Sequence, residues 1–295
     1  SFDGLVRAMN ELGVAILTRT AENSEDFQIH FEDLADQGAE LVFGVGFLAS
    51  DGLVAAAQTR PDTHFAGIDV WIDESSAPDN LTGILFQEEE AGYLAGVVAG
   101  LLTVDHASIS ARLNTDNVIG AVIGMDIPAT QRFFAGFNAG ALSVNSGCDV
   151  QYDVVGSFTD STAGTASANT MIANGADVIF NIAGLTGIGA LEAARDGGVL
   201  GIGVDIDQNT VAPDTIVTSA VKRLDNAVFM MVDSFLNNTV PGGANVFHDL
   251  ADGGVGLAPY HDFDSIIPQA VADAVAQAEQ DIIDGTIDPP QTFSF

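Results

Sequence analysis

The most constraining feature of this sequence is an internal duplication. The stretch Gly38–Gln58 (GAELVFGVGFLASDGLVAAAQ) matches Gly175–Arg195 (GADVIFNIAGLTGIGALEAAR), 137 residues further along the chain. Each copy has an apolar run, a loop containing glycine and an alanine-rich stretch of helical period, which predict a strand, a tight turn and a helix. The repeat therefore predicts two similar α/β lobes.

Each copy is followed by a short apolar strand that ends in aspartate, at Asp69 in the first copy and at Asp205 in the second. The alternation of strands and helices indicates parallel sheets covered by helices on both faces. Because ligands of open α/β sheets bind beyond the carboxyl ends of the strands, we expect both carboxylates to point into one cleft.

The remaining patterns extend the two lobes. A strand (Asn117–Gly124) precedes the first helix of the second lobe, whereas the first lobe begins directly with a helix at Phe2–Leu12. By symmetry, we expect a strand upstream of Ser1, in a segment that could also carry a signal and a lipid anchor. Later patterns predict a strand, a helix, a hairpin and a terminal helix, at Ile216–Ser219, Leu224–Leu236, around Asp252–Gly254 and near Pro268–Asp284. We expect the lobes to comprise residues 1–112 with 220–240, and 113–219 with 241–295.

The charge of the chain limits its partners. The 41 Asp and Glu residues against 8 Lys and Arg give a formal net charge of -33, which excludes nucleic-acid binding as a main function. Because 47% of the residues are hydrophobic, the acidic residues must coat a folded core. With thirty Asp and a single Lys, the composition is typical of adaptation to concentrated salt, which at ~1 M shortens the screening length to roughly 3 Å; an ordinary acidic protein is the alternative.

Motifs for catalysis and metal binding are absent from the sequence. The five histidines lack metal-ligand spacing, and neither a G-x-S-x-G elbow nor a GxGxxG loop occurs. The single cysteine, Cys148, excludes an internal disulfide and is predicted to be a small core residue. The acidic run Glu88–Glu90 could indicate a cation site, but a solvated helix face is the favoured interpretation. We therefore expect no enzyme, no cofactor and no metal.

Polar candidates for ligand binding lie at the predicted strand ends. Lys222 is the only lysine, and its ammonium offers three donors to a ligand; the alternative is a surface charge paired with Asp225. Carboxylates such as Asp205 and Asp69 can each accept two hydrogen bonds from a ribose or sugar diol, although capping of the following turn is the alternative. The glycines from Gly184 onward favour a tight turn and a close approach of the backbone to a ligand.

An aromatic candidate occurs in VGSFTD, after the apolar strand Val150–Val155. Phe158 follows that strand in a loop rich in Ser, Thr and Asp, where its face could stack a flat ring; a hydrophobic plug is the alternative. Phe2, beside Asp3 at the start of the first helix, has a similar character.

Taken together, these pieces resemble the basic membrane protein family of substrate-binding lipoproteins, which includes purine nucleoside receptors of ABC importers. The resemblance covers nearly the whole chain. It rests on SFDG at Ser1–Gly4, EEEAGYLAG at Glu88–Gly96, FFAGFNAGA at Phe133–Ala141, VGSFTD at Val155–Asp160, GADVIFNIAGLTGIGAL at Gly175–Leu191, GVDIDQ at Gly203–Gln208 and TSAVK at Thr218–Lys222.

The resemblance implies a type I periplasmic-binding fold, in which two Rossmann-like, doubly wound lobes are joined by a hinge. It implies an extracellular, lipid-anchored protein that captures a nucleoside, with a purine favoured, closes by hinge motion and delivers it to an ABC permease in the membrane. We expect a monomer without enzymatic activity.

The resemblance also assigns ligand contacts to Phe2, Asp3, Asp69, Phe158, Gly184, Asp205 and Lys222. Phe2 and Phe158 would stack the base from both sides, and Asp205 and Lys222 would hold the ribose hydroxyls. Asp3 occupies the position where this family usually has Asn, and an ionised carboxylate only accepts hydrogen bonds.

Other function classes remain open at this point. A receptor for a simple sugar is the nearest alternative and would need no aromatic pair for a base. A signalling receptor could use the same fold, whereas a nucleoside-processing enzyme would need a nucleophile or base constellation that the sequence lacks.

Overall fold

A computed structural model describes residues 1–104 and 109–295, which form two compact units. Unit 1 comprises Ser1–Phe86 and Arg223–His248, and unit 2 comprises Gln87–Lys222 and Asp249–Phe295. The chain therefore passes from one unit to the other at residues 86–87, 222–223 and 248–249.

Both units are built from alternating strands and helices. The strands are β1 (Leu41–Val45), β2 (His64–Ile68), β3 (Leu81–Phe86), β4 (Val118–Ile123), β5 (Asp149–Val154), β6 (Ala176–Ile182), β7 (Leu200–Asp205), β8 (Ile216–Lys222), β9 (Ala244–His248) and β10 (Val255–Leu257). The helices are α1 (Phe2–Leu12), α2 (Asp26–Asp36), α3 (Ser50–Thr59), α4 (Glu88–Val104), α5 (Pro128–Val144), α6 (Ser161–Ala173), α7 (Gly184–Gly197), α8 (Leu224–Leu236) and α9 (Gln269–Ile283).

The sheets are parallel, as the sequence predicts, apart from one edge strand. In unit 1 the order is β1-β2-β3-β9, and in unit 2 it is β10-β8-β7-β6-β4-β5, with β10 antiparallel to β8. Strands β3, β6 and β8 are buried along their whole length, which is typical of parallel sheets with both faces covered. The mixed α/β class is confirmed.

The duplicated segments occupy matching places in the two units. β1, α3 and β2 of unit 1 correspond to β6, α7 and β7 of unit 2, and each pair of strands is parallel and adjacent. Each core forms where these elements meet. It includes Leu53 and Phe65 in unit 1, and Ile179 and Ala190 in unit 2.

The boundaries of the two units differ from the lobe boundaries that the sequence predicts. Residues 87–112 were expected in the first lobe, but α4 belongs to unit 2 because its glycines pack against α5. A Cβ at Gly92 or Gly96 would overlap the carbonyl oxygens of Phe133 or Phe137, so only glycine permits this close approach of the two helices.

The boundaries after β8 differ as well. Residues 220–222 complete β8 in unit 2, and the first unit runs to His248 rather than to residue 240, because β9 pairs with β3. The hairpin expected around Asp252–Gly254 is wrong: β9 and β10 pair with different strands, one in each unit.

Two further observations concern the single cysteine and the apolar character of the helices. Cys148 is buried, as predicted, and burial raises the pKa of its thiol to about 11. Within residues 1–104 and 109–295, no helix combines the length and the apolar character that a membrane crossing requires.

Candidate functional site

Four of the sequence-predicted site residues lie at one edge of the unit 2 sheet. Gly184 follows β6, Asp205 ends β7, Lys222 ends β8, and Phe158 lies in the loop that follows β5. Because β4 to β8 run parallel, these carboxyl ends meet at the same edge, where open α/β sheets bind their ligands. The fold thus places Phe158 and Lys222, which are 64 positions apart in the sequence, at the same edge of the sheet.

Phe158 is held by glycines on neighbouring segments. A Cβ at Gly124, just after β4, would overlap the Cδ1 and Cε1 atoms of the Phe158 ring, and a Cβ at Gly184 would lie 3.7 Å from its Cβ and Cδ1 atoms. The Phe158 side chain is half-buried rather than enclosed in the core. This environment fits a ring that packs on the protein and still offers surface to a flat ligand.

Asp69 and Asp205 share an uncommon backbone conformation. Their φ angles are 59° and 65°, in the left-handed region that few residues other than glycine adopt. Asp69 follows β2 in unit 1, and Asp205 ends β7 in unit 2, so the duplication extends to the backbone of these two residues. Residues in this conformation are enriched at ligand sites, where the surrounding structure maintains the strain.

Lys222 is buried and takes part in an ion-pair network. Its Nζ lies 3.3 Å from Oε1 of Glu88, and Arg132 approaches Oε2 of the same carboxylate at 3.4 Å. Lys222 and Glu88 are only 8% and 2% exposed. The alternative of a surface pair between Lys222 and Asp225 is therefore wrong, because Asp225 pairs with Arg223 at 2.9 Å.

The Glu88–Glu90 run is buried, so its interpretation as a solvated helix face is wrong. These residues begin α4, a helix that is buried on nearly every side because its sequence continues with a stretch from Ala91 to Val104 that is apolar apart from Thr103. A helix that is apolar all round belongs in the interior, and this signal was available in the sequence. Sequence reasoning therefore missed Glu88 as the partner of Lys222.

Burial changes the acidity of the other two glutamates. Desolvation raises the pKa of Glu89 to about 7, against the attraction of Arg132. Its Oε2 atom has no hydrogen-bond partner and lies 3.9 Å from Nε of Arg132, as an ion pair. Desolvation also raises the pKa of Glu90 to about 7, although its Oε2 accepts a hydrogen bond from the Leu250 backbone N–H at 2.7 Å. Both carboxyls therefore titrate near neutral pH.

The neighbours of Asp205 stabilise the loop after β7. Oε1 of Gln208 accepts hydrogen bonds from the Val204 N–H at 2.8 Å and from Nδ2 of Asn181 at 3.0 Å. Oδ2 of Asp207 lies 2.6 Å from Nε2 of His261. Gln208 is buried, so its side chain supports the loop from within the unit.

The remaining sequence-predicted residues lie in unit 1. Phe2 and Asp3 begin α1, where Phe2 is 57% exposed and Asp3 is also exposed, whereas the half-buried Asp69 follows β2. In the described part of the chain, no three His, Cys, Asp or Glu side chains are grouped so that they could hold a metal ion. His106 lies outside the described residues.

Comparison with known proteins finds relatives and solved structures that align over most of the chain. The chain is 32% identical over 287 residues to the ABC transporter nucleoside-binding protein BmpA of Lactococcus lactis, covering 92% of this chain and 76% of that protein. It is 33% identical over 253 residues to Basic membrane protein D of Borreliella burgdorferi, covering 84% and 70% of the two chains. The crystal structure of an ABC transporter solute-binding protein from Aeropyrum pernix superposes with a TM-score of 0.82 at 26% identity, covering 98% of this chain and 88% of that one.

The fold and these similarities define a substrate-binding protein of the periplasmic-binding fold, which confirms the fold class. Such a protein binds its substrate without converting it. The family model described as ABC transporter substrate-binding protein PnrA-like matches residues 1–292, and the chain belongs to this family, Bmp.

Proposed function

We propose that this chain captures a nucleoside, with a purine as the favoured base, and presents it to an ABC permease. The observation that carries the proposal is the set of side chains at the carboxyl edge of the unit 2 sheet: a half-buried aromatic ring, a carboxylate, an ammonium and a glycine turn. A nucleoside combines a flat base, which an aromatic ring can stack, with a vicinal diol, which charged groups can bind through hydrogen bonds.

Each unit 2 residue has a chemical role in this proposal. Phe158 stacks the base, and the larger ring system of a purine gives it more contact area than a pyrimidine. Asp205 accepts hydrogen bonds from the ribose hydroxyls. Lys222, which also pairs with Glu88, donates hydrogen bonds to the oxygens of these hydroxyls. Gly184 allows the backbone to approach the ligand, because its φ of 55° lies in the left-handed region that favours glycine.

The other proposed contacts are residues of unit 1. Phe2, as the exposed first residue of α1, is the proposed second stacking ring, and Asp69 is the proposed polar contact. Asp3 is the proposed contact to the base, where its carboxylate selects ligands that present hydrogen-bond donors.

The proposal includes the setting in which the protein acts. We place it on the outer face of the cell membrane, held by a lipid anchor on an upstream segment, as a monomer that works in concentrated salt. The formal net charge of -33 argues against a nucleic acid as partner, because phosphate backbones are recognised by basic surfaces.

Calorimetry of the purified protein tests the proposal. We expect purine nucleosides to bind, and free ribose, arabinose and glucose to bind far more weakly. Phe158→Ala is expected to weaken nucleoside binding by roughly 5- to 150-fold, which corresponds to the ~1–3 kcal/mol of a base-aromatic stack. Tight binding of a simple sugar with no effect of Phe158→Ala would favour the sugar receptor.

A second measurement tests the diol contact. Asp205→Asn is expected to weaken binding of a ribonucleoside while leaving the already weaker binding of its 2′,3′-dideoxy analogue nearly unchanged. An equal loss for both ligands would contradict a role of Asp205 at the ribose.

A further inference from the structure

One buried threonine is hydrogen-bonded to the loop that carries Phe158. Thr186 lies in the first turn of α7 and is fully buried. Its Oγ1 accepts a hydrogen bond from the Asp160 N–H at 2.9 Å and donates one to the Ser157 carbonyl oxygen at 2.9 Å. Its backbone N–H donates to the carbonyl oxygen of Phe158 at 3.1 Å. Thr186 is thus hydrogen-bonded to the loop at three residues, Ser157, Phe158 and Asp160.

The position of Thr186 in its helix explains why this contact forms. The first backbone N–H groups of a helix have no partner inside the helix. The N-cap residue of α7, Ala183, provides no side-chain hydrogen bond, so the Phe158 carbonyl supplies an acceptor from outside the helix. The loop and the start of α7 therefore stabilise each other.

The ring itself is confined from another side. Gly124 leaves the space that the Phe158 ring occupies, since a Cβ there would overlap two of its ring atoms. The backbone of Phe158 is thus fixed by Thr186, and the ring is seated over Gly124. Together these contacts restrict the orientations of the ring before any ligand arrives, and such preorganisation strengthens binding.

We propose that Thr186 is a positioning residue for ligand binding: its buried hydroxyl fixes the loop 157–160 so that Phe158 is held ready to stack the base. This inference rests on the proposed nucleoside function. Thr186 acts through Phe158, so its effect on affinity must depend on the presence of that ring.

Two substitutions separate the hydroxyl from the shape of the side chain. Thr186→Val keeps the volume but removes both side-chain hydrogen bonds, and is expected to weaken affinity for a purine nucleoside by about tenfold, which is the usual size of one lost hydrogen bond. Thr186→Ser keeps the hydroxyl and is expected to restore the dissociation constant to within about twofold of the original.

Thr165 offers a matched control on the same pair of helices. Its hydroxyl also bridges α6 and α7, with contacts of 3.0 Å to the carbonyl oxygens of Ser161 and Gly189, but it is not hydrogen-bonded to the segment 157–160. Thr165→Val is therefore expected to leave nucleoside affinity unchanged.

A double-mutant cycle with Phe158→Ala tests whether Thr186 affects ligand affinity through the Phe158 ring. We expect Thr186→Val to weaken binding in the original protein and to have no further effect once Phe158 is alanine. An unchanged affinity for Thr186→Val, or the same fold-change in both backgrounds, would overturn the positioning role. If Thr186→Val does not fold, Thr186→Cys, whose thiol is a weak hydrogen-bonding group, takes its place in the same cycle.

The outcomes distinguish the two proposals. If the unaltered protein binds no nucleoside, the proposed function fails, and the base-stacking role of Phe158 fails with it. If it binds a nucleoside and Phe158→Ala weakens that binding, but Thr186→Val does not, only the inference about Thr186 is overturned.

Discussion

Replacing Glu89 by glutamine should make unit 2 more stable at alkaline pH and leave it unchanged at acidic pH. The Glu89 side chain is 1% exposed, and one of its oxygens has no hydrogen-bond partner. Desolvation raises its pKa to about 7, and the negative charges of Glu88 and Glu90 act in the same direction, whereas Arg132 opposes them. Glutamine has the shape of a protonated glutamate without the ionisable group.

The sign and size of the effect follow from the shift in the Glu89 pKa. Below the ordinary value of 4.5 the carboxyl is protonated in both states, so it contributes no pH dependence. Between 4.5 and about 7 the unfolded chain ionises while the folded protein keeps its proton, so the free energy of unfolding falls as the pH rises. Above about pH 7 the loss is complete and amounts to about 3 kcal/mol, at 1.36 kcal/mol for each pKa unit.

Thermal unfolding followed by circular dichroism at constant high salt measures this effect. At about pH 8 we expect Glu89→Gln to raise the midpoint of unit 2 by about 6–12 °C, since 1 kcal/mol corresponds to about 2–4 °C for a unit of this size. At about pH 4 the two proteins should unfold together. The matched control is Glu192→Gln, the same change at an exposed position of α7, which should keep the original pH profile.

Two results would refute this reasoning. Equal midpoints of the original protein and Glu89→Gln at about pH 8 would show that the buried carboxyl is not destabilising there. A lower midpoint of the variant would show that the ion pair between Glu89 and Arg132 outweighs desolvation.

Three further predictions concern the stability of the chain. In urea titrations, Lys222→Met should lower the free energy of unfolding by up to about 3 kcal/mol, because it removes one of the positive charges that balance the buried carboxylate of Glu88. The control Arg223→Met, at a more exposed ion pair, should change the free energy of unfolding by less than ~1 kcal/mol. Gly136→Ala should cost at least ~1–3 kcal/mol, since its Cβ would overlap the backbone of α4, while Gly256→Ala, with open space around it, should be tolerated. Raising the salt from ~0.1 M to ~1 M shortens the screening length from roughly 10 Å to roughly 3 Å and should raise the thermal midpoint; an unchanged midpoint would contradict adaptation to salt.

Local patterns predicted the elements of this chain well. The bounds of α1 and α8 agree with the sequence analysis at Phe2–Leu12 and Leu224–Leu236. These elements are encoded by the spacing of apolar residues within a few turns or strand repeats, which neighbouring residues specify together. The position of Asp205 at a strand end was predictable for the same reason.

Contacts between distant residues could not be predicted in this way. Lys222 pairs with Glu88, which lies 134 residues earlier in the chain, and no local pattern distinguishes that partner from the nearby Asp225. The hairpin prediction failed because sequence proximity favoured pairing of β9 with β10, although β9 completes the parallel sheet of unit 1. The unit boundary after β3 depends on the glycine contacts between α4 and α5, which only the packed helices reveal.

The sequence by itself determined the duplicated α/β architecture, the placement of ligand-type residues at strand ends and the family resemblance, because these depend on residue order and periodicity. Only the tertiary structure decided that Glu88 to Glu90 are buried, that Lys222 is held by an ion pair and that Thr186 fastens the loop of Phe158. Burial and long-range hydrogen bonding depend on which surfaces meet in the folded chain, and residue order alone does not specify that.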